Sequence, residues 1–532
     1  MGRVIVLGLD GGCSELLEIL IDKGSMPNLK ELVKSSSFGF LRSTNPPVTA
    51  PSWISMATGV NPGKHGCYDF NKPTTSLQKV KPIQSWDIKV KTFYELLKES
   101  GKKCILVNLP GTFPPLTDFI TLTSLLTQGE NSVFPERLKE ESEAFKNYRI
   151  FPDTSLLRKG ELKKYLQDVY DVELKRYQCL KKLWEKEWDC LFYVFSGGDW
   201  VSHEFYTQLI EDKAPVEALK VFQLFDEILY FVLNKKQEED NLIIISDHGF
   251  KKAKGVLHIN EILHKNKLLN PDFQNPSPPM SHKMEENLFS VSEFKKVNPK
   301  ILESVLKSKG LKKIVKALRK FGYKYPLFLK VDPKSSFCLM LTSESYGITI
   351  NDKRRFEDGI VSSDEFDKTR NKIKEILDSL KYNEEKVFRD LFFKEEVYNG
   401  EHLDIAPDIV FGDSDWAYSS GIRTLQDNPF AICERGIHSQ YGIFLCNGRN
   451  VKNVRLEKGK ISVVDIAPLI LFLLGEKIPN NFDGKILKEM FEDDYLIKNK
   501  VEFCEYTLPQ REEKEIDSEE IAKRLKSLGY MQ

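Results

Sequence analysis

Acidic and imidazole side chains follow the apolar segments of this sequence at several separate positions. Asp10 comes at the end of VIVLGLD, and the pair Asp247 and His248 comes directly after LIIIS. Asp199 and His203 follow CLFYVFSGG, and their four-residue spacing predicts that they share one face of a helix. Because open α/β sheets bind ligands beyond the carboxyl ends of their strands, these side chains can meet in one crevice. A carboxylate beside an imidazole at a strand end favours metal ligation.

Structural roles for these residues remain open as alternatives. Asp10 could be a turn or N-cap residue before a helix starting near Ser14, and Asp199 could cap its own helix. A further candidate, His438 in ERGIHSQYGIFLCNG, stands before an apolar segment and could be purely structural. Taken together, the carboxylates and imidazoles suit zinc or manganese better than calcium or magnesium. The set exceeds what one catalytic ion with an open position needs, so we expect two neighbouring ions acting in displacement at phosphorus.

The segment STNPPVTAPSWISMATG supplies a candidate nucleophile, Thr49. Two prolines keep the chain extended before it, and a helix is predicted over 50–58, so Thr49 stands at or near a helix N-terminus. Free backbone N–H groups there favour a phosphate or an alkoxide, and a metal ion could activate the hydroxyl. An N-cap role for Thr49 is the alternative, and the competing hydroxyls are those of Ser52, Ser55 and Thr44.

A sheet and its covering helices have to position these residues. Short β-rich segments alternate with helical patterns, and near-continuous apolar strands are typical of a mostly parallel sheet covered on both faces. The predicted fold class is therefore a layered α/β sandwich. The predicted strands are 3–10, 103–109, 190–197, 241–247, 408–411 and 441–448, and the predicted helices include SELLEILIDKG, TFYELLKESG and VVDIAPLILFLLG.

Composition limits the class of protein further. The 532 residues are 41% hydrophobic and 29% charged, which is enough apolar material for a large core and excludes a disordered or fibrous protein. Basic and acidic residues number 78 each, so the overall charge attracts neither nucleic acid nor an anionic membrane. The nine cysteines contain no C-x-x-C motif, and no apolar segment has the length of a signal peptide or membrane span. These features predict a soluble, cytoplasmic protein.

Two segments depart from the alternating pattern. Residues 128–188 contain a long charged helical stretch, which we interpret as a helical insertion or a cap over the sheet. Residues 262–335 form a second predicted insertion, and its basic segment from Lys307 to Lys330 is either a solvated helix pair or a patch for an anionic partner. We expect residues 1–532 to be one catalytic domain that carries both insertions.

The order of the motifs resembles the type I phosphodiesterase/nucleotide pyrophosphatase branch of the alkaline phosphatase superfamily. The series runs through VIVLGLDGG, MPNLKEL, PPVTAPSWISMATGVNPGKHG, GGDWVSHEF, SDHGF, GIHSQYGIFLCNG and SVVDIAPLILFLLG. The resemblance implies an alkaline phosphatase-like α/β/α sandwich, two zinc ions, and a small phosphorylated substrate that is attacked through a phospho-threonine intermediate. By the same resemblance, one ion is held by Asp10, Thr49, Asp247 and His248, and the other by Asp199, His203 and His438.

The implied activity is hydrolysis of phosphodiesters or nucleotide pyrophosphates, and the sequence departs from the family pattern at two points. The asparagine that helps the family bind the phosphoryl oxygen matches Asn71 only with one extra residue, and no aromatic slot for a nucleobase is evident. His65 is interpreted as a turn-stabilising residue rather than a ligand. A phosphomonoesterase, a phosphomutase and a catalytically silent binding module remain alternatives. A sulfatase is excluded, because it would need Cys or Ser in place of Thr49 and Arg in place of Trp53.

Overall fold

The central sheet is built from the apolar segments of the sequence. The computed structural model describes residues 2–276 and 329–512, except 78, 130, 383, 413–415, 423, 425–427 and 434, together with residues 520–522 and 524–525. In chain order, the strands that frame the site are β1 (Val4–Leu9), β2 (Ser37–Arg42), β3 (Cys104–Val107), β4 (Ile120–Leu122), β5 (Val133–Phe134), β6 (Cys190–Phe195), β7 (Asn241–Ile245), β8 (Gly249–Lys252), β9 (Gly436–Ser439), β10 (Tyr441–Asn447) and β11 (Ile461–Ser462).

Nine of these strands form one sheet in the order β11-β2-β10-β7-β1-β6-β3-β4-β5, while β8 and β9 form a separate antiparallel pair. The pairings of β1 with β6 and β7, β3 with β4 and β6, and β2 with β11 are parallel. Three pairings are antiparallel, those of β10 with β2 and β7 and that of β5 with β4. The prediction of a mostly parallel sheet is therefore confirmed.

Helices cover both faces of this sheet, as the predicted sandwich requires. Alternate residues of β1 point to opposite sides, with Ile5 and Leu7 in one buried core and Val4 and Val6 in the other. The longer helices are α1 (Ser14–Asp22), α2 (Pro27–Lys34), α3 (Thr49–Thr58), α4 (Phe93–Glu99), α5 (Leu162–Leu183), α6 (Gly197–Ile210), α7 (Val216–Lys235), α8 (Ile259–Lys265), α9 (Ser363–Asp378) and α10 (Ile466–Leu473). Helices α1, α2, α5, α6 and α7 pack into the first core, and α4 and α10 pack into the second.

Shorter elements lie outside the central sheet. Short helical turns are found at Pro62–His65, Ser85–Asp87, Leu138–Glu141, Glu143–Lys146, Ser155–Arg158, Lys394–Val397, Leu403–Ile405, Val463–Asp465, Lys488–Met490 and Asp493–Lys498. Small sheets pair Asn71–Pro73 with Val80–Pro82, Gly255–His258 with Tyr418–Gly421 and Phe430–Ala431, Pro271–Pro276 with Leu329–Val331, Cys338–Leu339 with Gly347–Ile350, Lys381–Tyr382 with Glu385–Lys386, and Ile478–Pro479 with Phe503–Cys504.

The predicted strand at 408–411 belongs to one of these small sheets and not to the central one. Ile409–Val410 pairs antiparallel with Gly347–Ile350 and with Phe392–Phe393. The strand ends at Val410, and Gly412 follows with a φ of +92°, where an added Cβ would lie 2.8 Å from the Tyr346 ring. Placing this segment in the parallel sheet was therefore wrong, since an apolar run of this length fits a two-residue strand in any sheet.

The structure describes the first predicted insertion but only the ends of the second. Within 128–188, strand β5 joins the edge of the central sheet, and α5 packs its apolar face against α7 within the first core. Most of the second segment, including residues 307–328 of the basic stretch that ends at Lys330, lies outside the described residues. The division into one catalytic domain with two insertions stays a prediction. None of the helices in the described part of the chain has both the length and the apolarity that crossing a membrane requires.

Candidate active site

The first group of candidate ligands assembles at the carboxyl ends of β1 and β7. Asp10 follows β1 directly, and its N–H donates to the carbonyl of Phe195 at the end of β6, 3.0 Å away. The next residue, Gly11, has a φ of +71° and donates its N–H to Asp247 Oδ1 at 3.3 Å. An added Cβ at Gly11 would lie 2.4 Å from the Phe250 ring, so only glycine fits this turn. The turn thus joins two strands that are far apart in sequence.

Asp247 and His248 complete this first group. Oδ2 of Asp247 lies 3.2 Å from Nε2 of His248, and Oδ1 of Asp10 lies 3.8 Å from the same nitrogen. The other ring nitrogen, Nδ1 of His248, lies 3.2 Å from the carbonyl oxygen of Gly249, which orients the imidazole. One ligand atom from each of Asp10, Asp247 and His248 lies within 4.8 Å of the others, and all three side chains are buried.

The second group is formed by Asp199, His203 and His438. The first turn of α6 carries Asp199, and His203 lies one turn further on, with 3.4 Å between Asp199 Oδ1 and His203 Nε2. Strand β9 brings His438 to the same place, with its Nε2 3.3 Å from Asp199 Oδ1 and 3.1 Å from His203 Nε2. The ligand atoms of this group also lie within 4.8 Å of one another. The predicted helix face shared by Asp199 and His203 is confirmed.

The two groups adjoin one another. The imidazole rings of His248 and His438 are stacked with their centroids 3.5 Å apart, and His248 Nε2 lies 4.0 Å from Asp199 Oδ1. His438 is held from behind, since its Nδ1 lies 3.0 Å from the carbonyl oxygen of Pro47. Two-metal sites in proteins typically place their ions about 3.5–4 Å apart. The spacing of the groups is therefore compatible with two neighbouring cations.

Thr49 is the first residue of α3, and its side chain contacts the first ligand group. The residue before it, Val48, has extended backbone angles and occupies the N-cap position, so Thr49 is not the cap. Its Oγ1 lies 3.0 Å from His248 Nε2, and its side chain is fully buried. The backbone N–H groups in the first turn of a helix lack intrahelical partners and attract negative charge. The predicted helix N-terminus at Thr49 is confirmed.

The competing hydroxyls are engaged elsewhere. Ser52 Oγ hydrogen-bonds with Ser43 Oγ at 2.7 Å and with Thr44 Oγ1 at 2.9 Å. Ser55 Oγ lies 3.0 Å from Nε2 of His65, whose Nδ1 accepts the Cys67 N–H at 3.1 Å. His65 therefore stabilises the turn after α3, as predicted, and burial lowers its pKa to about 3. Of the four candidate hydroxyls, Thr49 is the one whose hydrogen bond reaches the ligand groups.

Asn71, the candidate for binding the phosphoryl oxygen, lies outside the two ligand groups. It begins the strand Asn71–Pro73 and lines a small cavity of about 30 Å³ together with Asp69, Thr342 and Ser345. Both amide atoms of Asn71 are buried, and neither makes a hydrogen bond. A buried amide without partners is costly, so an external polar group at this position would be favoured.

Burial and mutual repulsion set the ionisation of the carboxylates. Burial, followed by the charges of Asp247 and Asp199, raises the pKa of Asp10 well above its usual range. Burial and the charge of Asp199 raise the pKa of Asp247 to about 7. Burial also acts to raise the pKa of Asp199, but the adjacent His203 and His438 outweigh it and hold this pKa well below its usual range. Burial lowers the pKa of His248, which keeps its imidazole neutral.

This arrangement fits bound cations. Asp10 Oδ1 and Asp247 Oδ2 are buried carboxylate oxygens without a hydrogen bond. Buried carboxylates are stable when they are paired or coordinate a metal, and imidazole beside carboxylate is the donor set of zinc and similar transition metals. The donor chemistry and the two ligand groups therefore match a two-metal centre.

One acidic residue near the site escapes prediction from the sequence. Glu344 stands in a loop, SES, where no strand-end pattern marks it. Burial is the main cause that raises its pKa to about 7, and the charges of His438, Asp69 and Asp199 also act on it. Glu344 therefore belongs to the electrostatic surroundings of the second ligand group.

Comparisons with known proteins agree with this geometry. The sequence profile of the type I phosphodiesterase/nucleotide pyrophosphatase family matches residues 4–427. No curated protein sequence matches the chain. Human ectonucleotide pyrophosphatase/phosphodiesterase 5 is similar in structure at 13% identity, with a TM-score of 0.50, over 92% of this chain and 100% of that chain. Phosphonoacetate hydrolase from Sinorhizobium meliloti, solved with phosphonoacetate, is similar at 15% identity, with a TM-score of 0.53, over 89% and 96%. At these identities the likeness shows the fold alone.

The chain belongs to the type I phosphodiesterase/nucleotide pyrophosphatase family, with the fold of the alkaline phosphatase superfamily. It is an enzyme of the phosphodiesterase/pyrophosphatase type, a phosphohydrolase. The family is metal-dependent, and the two groups are this chain's candidate ligand sets. The profile match ends before His438, so the place of His438 in the second group rests on the distances above.

Proposed function

We propose that this enzyme hydrolyses phosphodiesters or nucleotide pyrophosphates at a two-metal centre, with Thr49 as the nucleophile. The observation that carries the proposal is the position of Thr49 Oγ1, buried at the start of α3 and 3.0 Å from His248 Nε2. The ligand set of the first ion is Asp10, Thr49, Asp247 and His248, and that of the second is Asp199, His203 and His438.

When bound, the ions would supply charge that stabilises the phosphoryl oxygens and lowers the pKa of the Thr49 hydroxyl. The Thr49 oxygen then forms a bond to phosphorus while the bond from phosphorus to the leaving-group oxygen breaks. The proton that the Thr49 hydroxyl loses balances the one that the leaving group gains. Backbone N–H groups in the first turn of α3 lack helical partners, and such groups would favour the negative charge of a phosphoryl group bound beside Thr49. Water next attacks the threonine-bound phosphorus, the bond to the Thr49 oxygen breaks, a proton from the water returns to that oxygen, and a phosphomonoester is released.

We infer that zinc is the physiological ion. Three imidazoles and three carboxylates make up the two groups, and borderline-soft zinc accepts this mixture in tetrahedral sites. Manganese also accepts these donors, so reconstitution with each ion and a count by mass spectrometry distinguishes them. If activity recovers better with manganese than with zinc, manganese would be assigned as the physiological ion instead.

We further propose that Asn71 contacts the substrate. Its two amide atoms are buried without partners in the cavity shared with Asp69, so a substrate oxygen could accept from the amide nitrogen. Asn71→Ala should raise KM for a diester while leaving the metal content unchanged. Asn351→Ala is a matched control, since Asn351 is a buried asparagine whose amide donates to Pro333 and Ser336. An unchanged KM in Asn71→Ala would contradict the assignment.

A direct test uses protein stripped of metal and then reloaded with zinc or manganese. The same preparation is assayed on an aryl phosphodiester and on the corresponding aryl phosphomonoester. We expect turnover to return with metal and to be faster with the diester. Preference for the monoester would favour a phosphomonoesterase, and the lack of any metal-restored turnover would contradict the proposal.

The nucleophile is tested by Thr49→Ala, with Ser52→Ala as the control in the same helix. Thr49→Ala should keep both metal sites occupied to a large extent but lose several orders of magnitude in turnover, because the attacking oxygen is absent. After acid quenching during turnover of a diester, mass spectrometry should find the phosphoryl group of the substrate, with its remaining ester, on the peptide that contains Thr49. Near-normal turnover of Thr49→Ala, or the substrate's phosphoryl group on Ser52 instead, would disprove the role.

We also propose that the enzyme acts in the cytoplasm. All nine cysteines are free thiols in the structure, and eight of them are buried, which suits a reducing compartment. Fractionation of cells with an antibody against the chain would test this, and recovery outside the cytoplasm would contradict it.

A further inference from the structure

A buried ion pair lies behind the second ligand group. Glu173 and Arg176 stand one turn apart on α5, and neither side chain is exposed to solvent at all. Glu173 Oε1 accepts from Arg176 Nη1 at 2.6 Å. Arg176 also donates from Nε to the carbonyl of Arg149 at 3.2 Å and from Nη2 to the carbonyl of Ile150. The guanidinium of Arg176 therefore has backbone carbonyl partners besides Glu173. The carboxylate of Glu173 can then accept further hydrogen bonds.

That other contact is the beginning of α6. Glu173 Oε1 accepts the N–H of Ser196 and the N–H of Gly197, each at 3.0 Å. The Ser196 side chain makes no capping bond to the helix, so the carboxylate of Glu173 takes the place of a cap. A negative charge at a helix N-terminus also stabilises the helix. At Gly197 an added Cβ would lie 3.0 Å from Glu173 Cγ, which shows how closely α5 approaches this turn.

The turn fixed in this way carries half of the metal centre. Asp199 is the third residue of α6 and His203 follows one turn later, so any shift of residues 196–197 moves both ligands. Asn108 supports the same turn from the sheet, since its Nδ2 donates to Ser196 Oγ at 2.9 Å and to the carbonyl of Val194 at 3.0 Å. Ligands displaced by even a fraction of an ångström hold an ion less tightly, because metal sites depend on geometry.

Stability alone is a weak reason for such a pair. A buried ion pair loses its hydration, and its replacement by well-packed apolar residues is often neutral or stabilising. The second carboxylate oxygen, Oε2 of Glu173, is buried without a hydrogen bond, which adds to the cost. A positioning role accounts for the pair better than a contribution to the free energy of unfolding.

We propose that Glu173 is a positioning residue for the metal centre, whose carboxylate sets the first turn of α6 and thereby the ligands Asp199 and His203. The inference rests on the proposed two-metal site and extends it to a helix, α5, whose sequence predicts an insertion or cap. Arg176 compensates the buried charge and orients the carboxylate.

The test compares two double variants that remove the ion pair in different ways. Glu173→Gln with Arg176→Met keeps an acceptor oxygen for the two N–H groups, whereas Glu173→Leu with Arg176→Met removes it. Zinc affinity of each metal-free protein is measured by competition with a chromophoric chelator, and thermal unfolding is followed in parallel. Asp226→Asn serves as the control, because Asp226 is a buried carboxylate that accepts from the backbone N–H groups of Asn28 and Leu29 at the start of α2, a helix that carries no ligand.

The Leu variant should bind one of the two zinc ions about 10–100-fold more weakly, the usual effect of removing an outer-sphere partner. The Gln variant should stay close to wild type, and Asp226→Asn should keep both affinities even where its unfolding temperature falls. Wild-type affinity for both ions in a folded Leu variant would overturn the proposal. If that variant fails to fold, Glu173→Asp provides the test. The shorter side chain keeps the charge but moves the carboxylate oxygen away from the N–H groups of Ser196 and Gly197. Unchanged zinc affinity in Glu173→Asp would then refute the role. A wild-type protein that binds no zinc would instead reject the proposed two-metal site.

Discussion

Asp247→Asn should stabilise the metal-free protein while weakening its metal-loaded form. Burial, together with the charge of Asp199, raises the pKa of Asp247 from 3.8 to about 7 in the metal-free fold. The unfolded chain therefore loses this proton at lower pH than the folded chain does. Below pH ~4 Asp247 is protonated in both states, so its ionisation does not affect stability there. As the pH rises toward about 7, the free energy of unfolding falls, because only the unfolded chain releases the proton readily.

The size of this effect follows from the shift. About three pKa units correspond to ~4 kcal/mol, reached only once the pH exceeds the folded-state pKa. Asp10 lies next to Asp247 and stays ionisable, so part of the repulsion is relieved by Asp10 itself. We therefore expect Asp247→Asn to raise the free energy of unfolding of the metal-free protein by about 2–4 kcal/mol at pH ~8 and by about 1–2 kcal/mol at pH ~5. With zinc present the sign reverses, because a neutral amide replaces a charged ligand and the stabilisation by bound metal is reduced.

Denaturant unfolding at these two pH values measures the change in the free energy of unfolding that Asp247→Asn causes. The change should be positive in the presence of a chelator and negative with zinc. Asp240→Asn is the control, a buried carboxylate remote from the site. Burial acts to raise the pKa of Asp240, but the hydrogen bond from Arg3 outweighs it and lowers this pKa, so its amide variant should be less stable at both pH values. The reasoning is refuted if Asp247→Asn is no more stable than wild type at the higher pH in chelator, or if it still binds two ions.

Three further variants test other parts of the site. Thr49→Ser should keep measurable metal-dependent turnover, because the hydroxyl is retained, and a rate as low as that of Thr49→Ala would argue against a nucleophilic role. Asp199→Asn should lower the unfolding free energy of the metal-free protein near pH 6, the opposite sign to Asp247→Asn, because His203 and His438 favour the ionised form; a stabilised variant would contradict this. Gly11→Ala should cost about 1–2 kcal/mol for its backbone angle and more for the clash with the Phe250 ring, with weaker zinc binding. Gly24→Ala, with a similar φ of +72° and nothing within 4 Å of its Cβ, should show the backbone cost alone, and equal losses in the two variants would rule out the clash.

The strands and most of the ligands could be predicted because the physics that places them is local. An apolar segment that ends in an acid, such as the one before Asp10, marks both a buried strand and its functional end. The spacing of Asp199 and His203 likewise follows from helix geometry, and the structure brings these side chains together. His438 carries no such local signal, and it reaches the site only through the pairing of β9 with β8.

Other features depend on contacts between distant segments. The charged helix α5 has the composition of a solvated surface, yet Glu173 and Arg176 are fully buried because they meet the backbone of Ser196 and Ile150. Glu344 was missed for the same reason, since the charges of His438 and Asp69 act on it only in the folded chain. Hydrophobic periodicity cannot reveal a buried polar group whose partner is the backbone of another segment.

The central claim is that two cations lie between the two ligand groups, with the Thr49 hydroxyl facing them. The most direct measurement is a crystal structure of the zinc-loaded protein with orthovanadate, with anomalous data collected at the zinc edge. We predict two zinc peaks about 4 Å apart, one contacted by Asp10, Asp247 and His248 and the other by Asp199, His203 and His438, with vanadium bonded to Thr49 Oγ1. Zinc bound away from these residues, a single ion in a fully loaded crystal, or vanadium bonded to another side chain would contradict the account.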